Sequence, residues 1–245
     1  MNLKPRFPVP ERILITGGPK VGKTHAYLSI AARCPDSQVY VLDSDRALGR
    51  MLMDRDLPNV KVTEVKTWED FVENTRTVLK TTRPQDWLIV DFGSASWDAV
   101  QRWYINKKFK TAAEDHFTAF VVSGKKGNAL EGDTDWVVVK RNLAAWMTLI
   151  KEANCHVLFT TKAKAIGGRD DAHLKMTYGP VGVRPDGEKT MSHDFHTLVV
   201  LGKTRTGDHF MTTVGDRGRA LIEKAPLTDF ALNYLMTVAG WKPGA

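Results

Sequence analysis

Eight consecutive residues, Gly17-Gly18-Pro19-Lys20-Val21-Gly22-Lys23-Thr24, follow the pattern G-x-x-x-x-G-K-[ST] in full. The chemistry of that spelling is phosphate binding. Glycines let backbone N–H groups turn inward around phosphate oxygens without a Cβ clash. A helix starting at this point aims its partial positive end at the same anion. Lys23 is then expected at the β- and γ-phosphates of ATP, with the Thr24 hydroxyl as a ligand of Mg²⁺. The expected nucleotide-binding segment runs through Thr24 to His25.

Such a loop needs a carboxylate for the metal at the end of a buried strand. Trp87-Leu88-Ile89-Val90-Asp91 supplies four apolar residues and then an acid, so Asp91 is expected to hold Mg²⁺, directly or through water. A second acidic segment, Asp43-Ser44-Asp45, follows the apolar run Tyr40-Val41-Leu42 and offers Asp45 to the attacking water. Thr160, Thr161 and Lys162 end a further apolar run, where a polar contact to the γ-phosphate would sit. A turn residue at a strand end is the competing reading for each of these positions. The seven histidines show no metal-ligand spacing.

Short apolar strands alternate with helical stretches, which implies an α/β domain with a mostly parallel sheet. Strands are expected at Arg12–Thr16, Val39–Asp43, Val60–Val65, Trp87–Asp91, His156–Thr161 and Thr197–Leu201. Phe210–Val214 and Ala220–Glu223 should add an antiparallel edge across a short turn. Trp68, Phe71, Val72, Val78 and Leu79 fall at helical spacing behind Thr67, with Asp70 completing a capping box. Helices are also expected around Trp97–Ile105, Leu143–Ile150 and Phe230–Val238. Residues 1–11 read as an arm and 12–245 as one domain. Two segments, about 106–135 and 163–193, read as long loops of mixed charge.

The chain has 245 residues, 42% of them apolar and 26% charged, the profile of a globular protein with a sizeable core. Its net charge of +7 tolerates a polyanionic partner without requiring one. No apolar run reaches the length of a membrane span, and the first twelve residues carry no apolar leader. Cys34 and Cys155 lie far apart, outside any disulfide or zinc pattern. The expected setting is a reduced cytoplasm, without membrane attachment.

Among phosphate-loop families, the guanine-specific [NT]-K-x-D sequence is missing, because Thr161-Lys162-Ala163-Lys164 lacks the acid. No L-S-G-G-Q segment is present either, and Phe92 follows Asp91 where the AAA+ type usually places Glu, although Gly215-Asp216-Arg217-Gly218-Arg219-Ala220-Leu221 resembles a sensor-2 sequence of that type. Tyr40-Val41-Leu42-Asp43-Ser44-Asp45 resembles the RecA family, where a strand ends in Asp-x-Glu and the Glu activates water. Here the acid is Asp45, one methylene shorter. In motif order the chain is similar to phage-encoded single-domain RecA-like ATPases, including the Sak-type single-strand annealing group. That resemblance implies a RecA-like fold, a mostly parallel sheet flanked by helices, with an antiparallel C-terminal edge. It also implies an Mg²⁺-ATP hydrolase that forms homo-oligomeric rings or filaments on single-stranded DNA during phage recombination or replication, alongside a single-strand binding protein. The loops after the fourth and fifth strands would face DNA, with Arg169, Lys175 and Arg184 as contacts. A neighbouring subunit would complete the ATP site with Arg217 and Arg219, or next with Lys203 and Arg205. A hexameric helicase-like motor, an ATP-gated recruitment module and a nuclease built on Asp43, Asp45 and Asp91 are the alternatives.

Overall fold

The structure is a computed structural model, which describes residues 9–124, 130 and 132–241. Of the expected features, most of the N-terminal arm and part of the 106–135 segment lie outside the described residues. The chain runs β1 (Arg12–Gly17), α1 (Lys23–Arg33), β2 (Val39–Asp43), α2 (Leu48–Leu52), β3 (Val60–Glu64) and α3 (Trp68–Leu79). It continues through β4 (Trp87–Asp91), α4 (Ser94–Phe109), α5 (Ala113–Val122), α6 (Gly132–Lys151) and β5 (His156–Ala165). Then come α7 (Ala172–Tyr178), β6 (Val183–Pro185), β7 (Thr197–Lys203), β8 (His209–Asp216) and β9 (Ala225–Pro226). A π-helical turn, Ala231–Met236, follows.

The strands form one sheet in the order β3-β2-β4-β5-β1-β7-β8-β9. The six strands from β3 to β7 are parallel, while β8 and β9 are antiparallel. Parallel strands covered on both faces must be apolar on both. Alternation divides their side chains accordingly. Leu14, Leu42, Leu88, Val90, Val157 and Phe159 join the apolar stripes of α3, α4 and α6. Ile13, Ile15, Val39, Val41, Ile89 and Leu158 pack on α1 and the final π-helical turn. Helix α3 begins at the expected capping box: Thr67 Oγ1 accepts from Asp70 N, and Asp70 accepts from Thr67 N.

Three expectations need correction. Residues 220–223 form no strand; β8 instead pairs with β7 through the turn at 204–208, and with β9 beyond. The segment 106–135 contains the end of α4, all of α5 and the start of α6. Helix α5 escaped notice because Phe117, Val121 and Val122 are exposed rather than forming a core stripe. The segment 163–193 is likewise built. Strand β5 runs on to Ala165 and pairs with β6, and Asp171 caps α7 by accepting from Leu174 N.

Candidate active site

The phosphate loop leaves the C-terminal end of β1, between β5 and β7. Gly17 is in register with Lys162 on one side and Leu201 on the other. A Cβ on Gly17 would lie 2.6 Å from Val21 Cγ2 and 2.8 Å from the Leu201 carbonyl oxygen, so only glycine fits. Gly22, at φ +98°, turns the chain into α1. From β8, His209 Nδ1 approaches the Val21 carbonyl at 2.9 Å. A carbonyl can only accept, so this ring nitrogen donates and braces the loop.

Lys23 Nζ donates to the carbonyls of Gly17 (2.9 Å) and Gly18 (2.7 Å). Burial lowers its pKa; Asp91 and Asp45 pull it back up, and Lys162 pushes it down again. The ammonium therefore stands in a cleft of about 820 Å³, lined also by Thr24, His25, Asp45, Asp91 and Lys162. The expected binding residues, apart from buried Val21, and both expected carboxylates meet in this one cleft.

Asp91 is buried at the end of β4, and its two oxygens are held from different elements. Tyr27 Oη donates to Oδ2 at 2.6 Å, and Thr160 Oγ1 donates to Oδ1 at 2.5 Å. Burial raises the Asp91 pKa, the two hydroxyl donors lower it, and the nearby Asp45 and Asp43 raise it further. Asp43 has a different task. Its carboxylate accepts the backbone N–H groups of Asp45 (3.2 Å), Arg46 (3.0 Å) and Leu48 (3.3 Å). Asp43 thus shapes the turn that presents Asp45, whose side chain is exposed at the cleft. Burial, with Asp45 beside it, raises the Asp43 pKa.

Carboxylate oxygens of Asp43, Asp45 and Asp91 all lie within 4.8 Å of one another. With the Thr24 hydroxyl, they make an all-oxygen donor set that suits a hard divalent cation such as Mg²⁺. Thr24 and Asp91 would hold it, Asp91 through the lone pairs that its single donor on each oxygen leaves free, while Asp43 already accepts three backbone N–H groups.

Just past Asp91 the chain is strained. Phe92 adopts φ +73°, which a bulky L-residue rarely does, at a cost of roughly 1–3 kcal/mol. Thr160 holds the conformation in place: its Oγ1 accepts from Phe92 N (2.9 Å) and its carbonyl from Gly93 N (2.7 Å). A Cβ on Gly93 would meet the Phe159 ring at 2.7 Å, so glycine is required there too.

Other expected residues lie elsewhere. Arg184 is buried, with Nε on Asp170 Oδ1 at 3.0 Å and Nη1 on the Pro185 carbonyl at 2.9 Å. Arg169 and Lys175 are exposed. Because β8 is antiparallel, Arg217 and Arg219 follow its far end, remote from this subunit's phosphate loop. Arg219 pairs with Glu11 at 2.5 Å and donates to Tyr234 Oη at 3.2 Å, bonds that raise its pKa. The β7–β8 turn, by contrast, stands at the loop's end of the sheet, with exposed Lys203 closing β7 and exposed Arg205 in the turn itself. Sequence reasoning missed Tyr27 and His209. Tyr27 sits in an apolar helical stripe indistinguishable from core, and His209 acts through a contact 188 residues away in sequence.

The chain matches the AAA domain family over residues 10–213. No curated protein matches it in sequence. Among solved structures it is similar to the RadB recombinase at 14% identity, with 89% of this chain and 86% of that one covered, and a TM-score of 0.52. The assembled ATPase EscN of the enteropathogenic E. coli type III secretion system, solved with its central stalk EscO, aligns at 12% identity. That alignment covers 81% of this chain and 43% of that one, with a TM-score of 0.49. The RadB likeness is one of fold, and it agrees with the parallel sheet, phosphate loop and antiparallel edge described above. The chain therefore belongs to the AAA domain family and is a P-loop ATPase domain of RecA-like fold.

Proposed function

We propose that this protein hydrolyses Mg²⁺-ATP as a homo-oligomer and couples hydrolysis to single-stranded DNA, in annealing or strand exchange during phage recombination or replication. One observation carries the nucleotide part: Lys23, Thr24, Asp45 and Asp91, distant in sequence, line one cleft around the phosphate loop. Backbone N–H groups of the loop bind the phosphates, and Lys23 exchanges the Gly17 and Gly18 carbonyls for phosphate oxygens. Thr24 and Asp91 would hold Mg²⁺, which would supply charge neutralisation to the transferring phosphoryl group. Asp91 stays fixed between Tyr27 and Thr160. Exposed Asp45, presented by the turn on Asp43, orients the attacking water.

Support for the oligomer is the position of Lys203 and Arg205, on an exposed turn at the nucleotide end of the sheet. They join Arg217 as basic residues open to a neighbour's ATP, whereas Arg219 is engaged by Glu11. For DNA, Arg169 and Lys175 remain exposed on the segment that follows β5, and the order of motifs resembles single-strand annealing ATPases. Hydrolysis with and without single-stranded DNA tests the reading. Faster turnover with DNA is expected; hydrolysis indifferent to DNA would leave an ATPase of another kind.

A further inference from the structure

We propose that Arg12, His196 and Arg217 form a row that binds the phosphates of a single-stranded nucleic acid, at the opposite end of the sheet from the ATP cleft. This rests on the DNA reading above and gives the strand a contact outside the segment that follows β5.

The backbone builds the row. His196 N donates to the Arg12 carbonyl at 2.9 Å, and Arg217 N donates to the His196 carbonyl at 3.0 Å. Arg12 opens β1, His196 immediately precedes β7, and Arg217 immediately follows β8, so the three lie side by side across adjacent strands. One position further in, Thr197 and Asp216 face Tyr234, whose hydroxyl bonds to both. Alternation turns the row to the other face, that of Leu14 and α6. There Arg12 Nη1 donates to the carbonyl of Lys151, the last residue of α6, at 2.8 Å.

Like charges in cross-strand register repel, and no acid relieves these. Arg217 bonds to a carbonyl too, that of His193, at 3.3 Å. Among the described residues neither arginine has an ion-pair partner, and the buried Arg12 Nε has no hydrogen-bond partner at all. The nearby acids are engaged elsewhere: Asp194 with Lys151 at 2.9 Å, and Glu11 with Arg219 at 2.5 Å. After burial, Arg217 is what most lowers the Arg12 pKa, and Arg12 and Arg217 together lower that of His196.

The roots of Arg12 and Arg217 stand two strand spacings apart, each about 4.8 Å, so the row suits a chain of phosphates better than one small anion. It also continues into a stacking surface. His193, whose carbonyl holds Arg217, stacks its ring on His173 of α7, with centroids 4.7 Å apart and 21° between planes. Both histidines are exposed, and so is Lys175 on the same helix. Guanidiniums for phosphates, interleaved with exposed flat rings for bases, are the parts by which proteins hold single strands. An acidic peptide would use the cations and leave the rings idle.

The test is fluorescence anisotropy of a labelled oligothymidylate with the full chain, without nucleotide. Arg217→Glu, at an exposed position, should weaken binding by about tenfold or more and lower the salt dependence, while Arg217→Lys should keep most of the affinity. His173→Ala should weaken binding with the salt dependence retained. If wild-type protein binds the oligonucleotide and Arg217→Glu binds it equally well, the row fails while the DNA reading stands. Slower hydrolysis in Arg217→Glu with nucleotide-free DNA binding intact would assign Arg217 to a neighbour's ATP and overturn the row. Equal displacement of the oligonucleotide by oligoglutamate or inorganic phosphate, at matched ionic strength, would make this a general anion site and overturn it as well. Wild-type protein that binds no oligonucleotide sinks the DNA reading, and this proposal with it.

Discussion

The hydroxyl of Tyr27, on α1, donates a 2.6 Å hydrogen bond to the carboxylate of Asp91 at the end of β4. Together with Thr160 from β5, it holds both oxygens of a buried acid, whereas Asp45 is exposed and accepts from its neighbour Ala47 N at 3.0 Å. The two carboxylates should therefore respond differently to substitution. Asp91→Asn is expected to weaken Mg²⁺-ATP binding. Asp45→Asn should spare binding and slow turnover by about 10²-fold, the usual scale for a lost general base. Titration with a fluorescent ATP analogue, followed by single-turnover hydrolysis, separates them. Equal loss of binding in both variants would make Asp45 a metal ligand.

Arg184 and Asp170 form a buried ion pair, with both side chains less than a tenth exposed. Arg184→Ala removes the guanidinium that pairs with this carboxylate and should lower stability in urea denaturation. Arg169→Ala with Lys175→Ala should leave stability unchanged. If the DNA reading is right, that pair should lower single-stranded DNA affinity and flatten its salt dependence. A stable Arg184→Ala protein with DNA binding lost would restore Arg184 as a contact.

Much of this was legible in the sequence because it is local. The phosphate loop, the capping box at Thr67 and six parallel strands are each written in fewer than about ten consecutive residues. What stayed hidden depends on tertiary context. Helix α5 turns much of its apolar surface outward, so its pattern gives no buried stripe. Arg184 looks like any loop arginine until β6 pairs with β5 and buries it against Asp170. Arg217 and Arg219 follow the far end of β8, which no local pattern reveals. Because β8 pairs with β7, the end of the sheet that bears the phosphate loop carries Lys203 and Arg205.

Mixing variants tests the shared site. Arg205→Ala subunits keep their own phosphate loop, and Lys23→Ala subunits keep their own Arg205. If one subunit completes its neighbour's site, the mixture should regain part of the hydrolysis that each lacks alone. Two inactive proteins that stay inactive together would place the basic pair outside the reaction.

His156 packs against Trp87 and Trp241, and its Nδ1 accepts the Glu11 N–H at 3.0 Å. Burial pushes its pKa down to about 4 from 6.5, against the opposing pull of Glu11 and Asp86. Between those values the unfolded chain takes up a proton that the folded chain refuses. The neutral ring thus stabilises fully above about pH 6.5, and the contribution falls away towards pH 4, by about 2 kcal/mol at pH 5. His156→Asn keeps an acceptor for Glu11 without a titrating ring. Urea midpoints at pH 7.5 and pH 5 should differ less in this variant; an identical drop would assign the loss to other groups.

The central claim is that the cleft around Lys23 binds and hydrolyses ATP. Phosphate release from ATP by wild-type protein and by Lys23→Ala, with circular dichroism to verify folding, tests it most directly. Wild-type protein should turn over ATP with Mg²⁺, and Lys23→Ala should lose roughly 10²-fold or more. That loss corresponds to one or two hydrogen bonds to a charged group. Hydrolysis at the wild-type rate by a folded Lys23→Ala protein would contradict the assignment of this cleft.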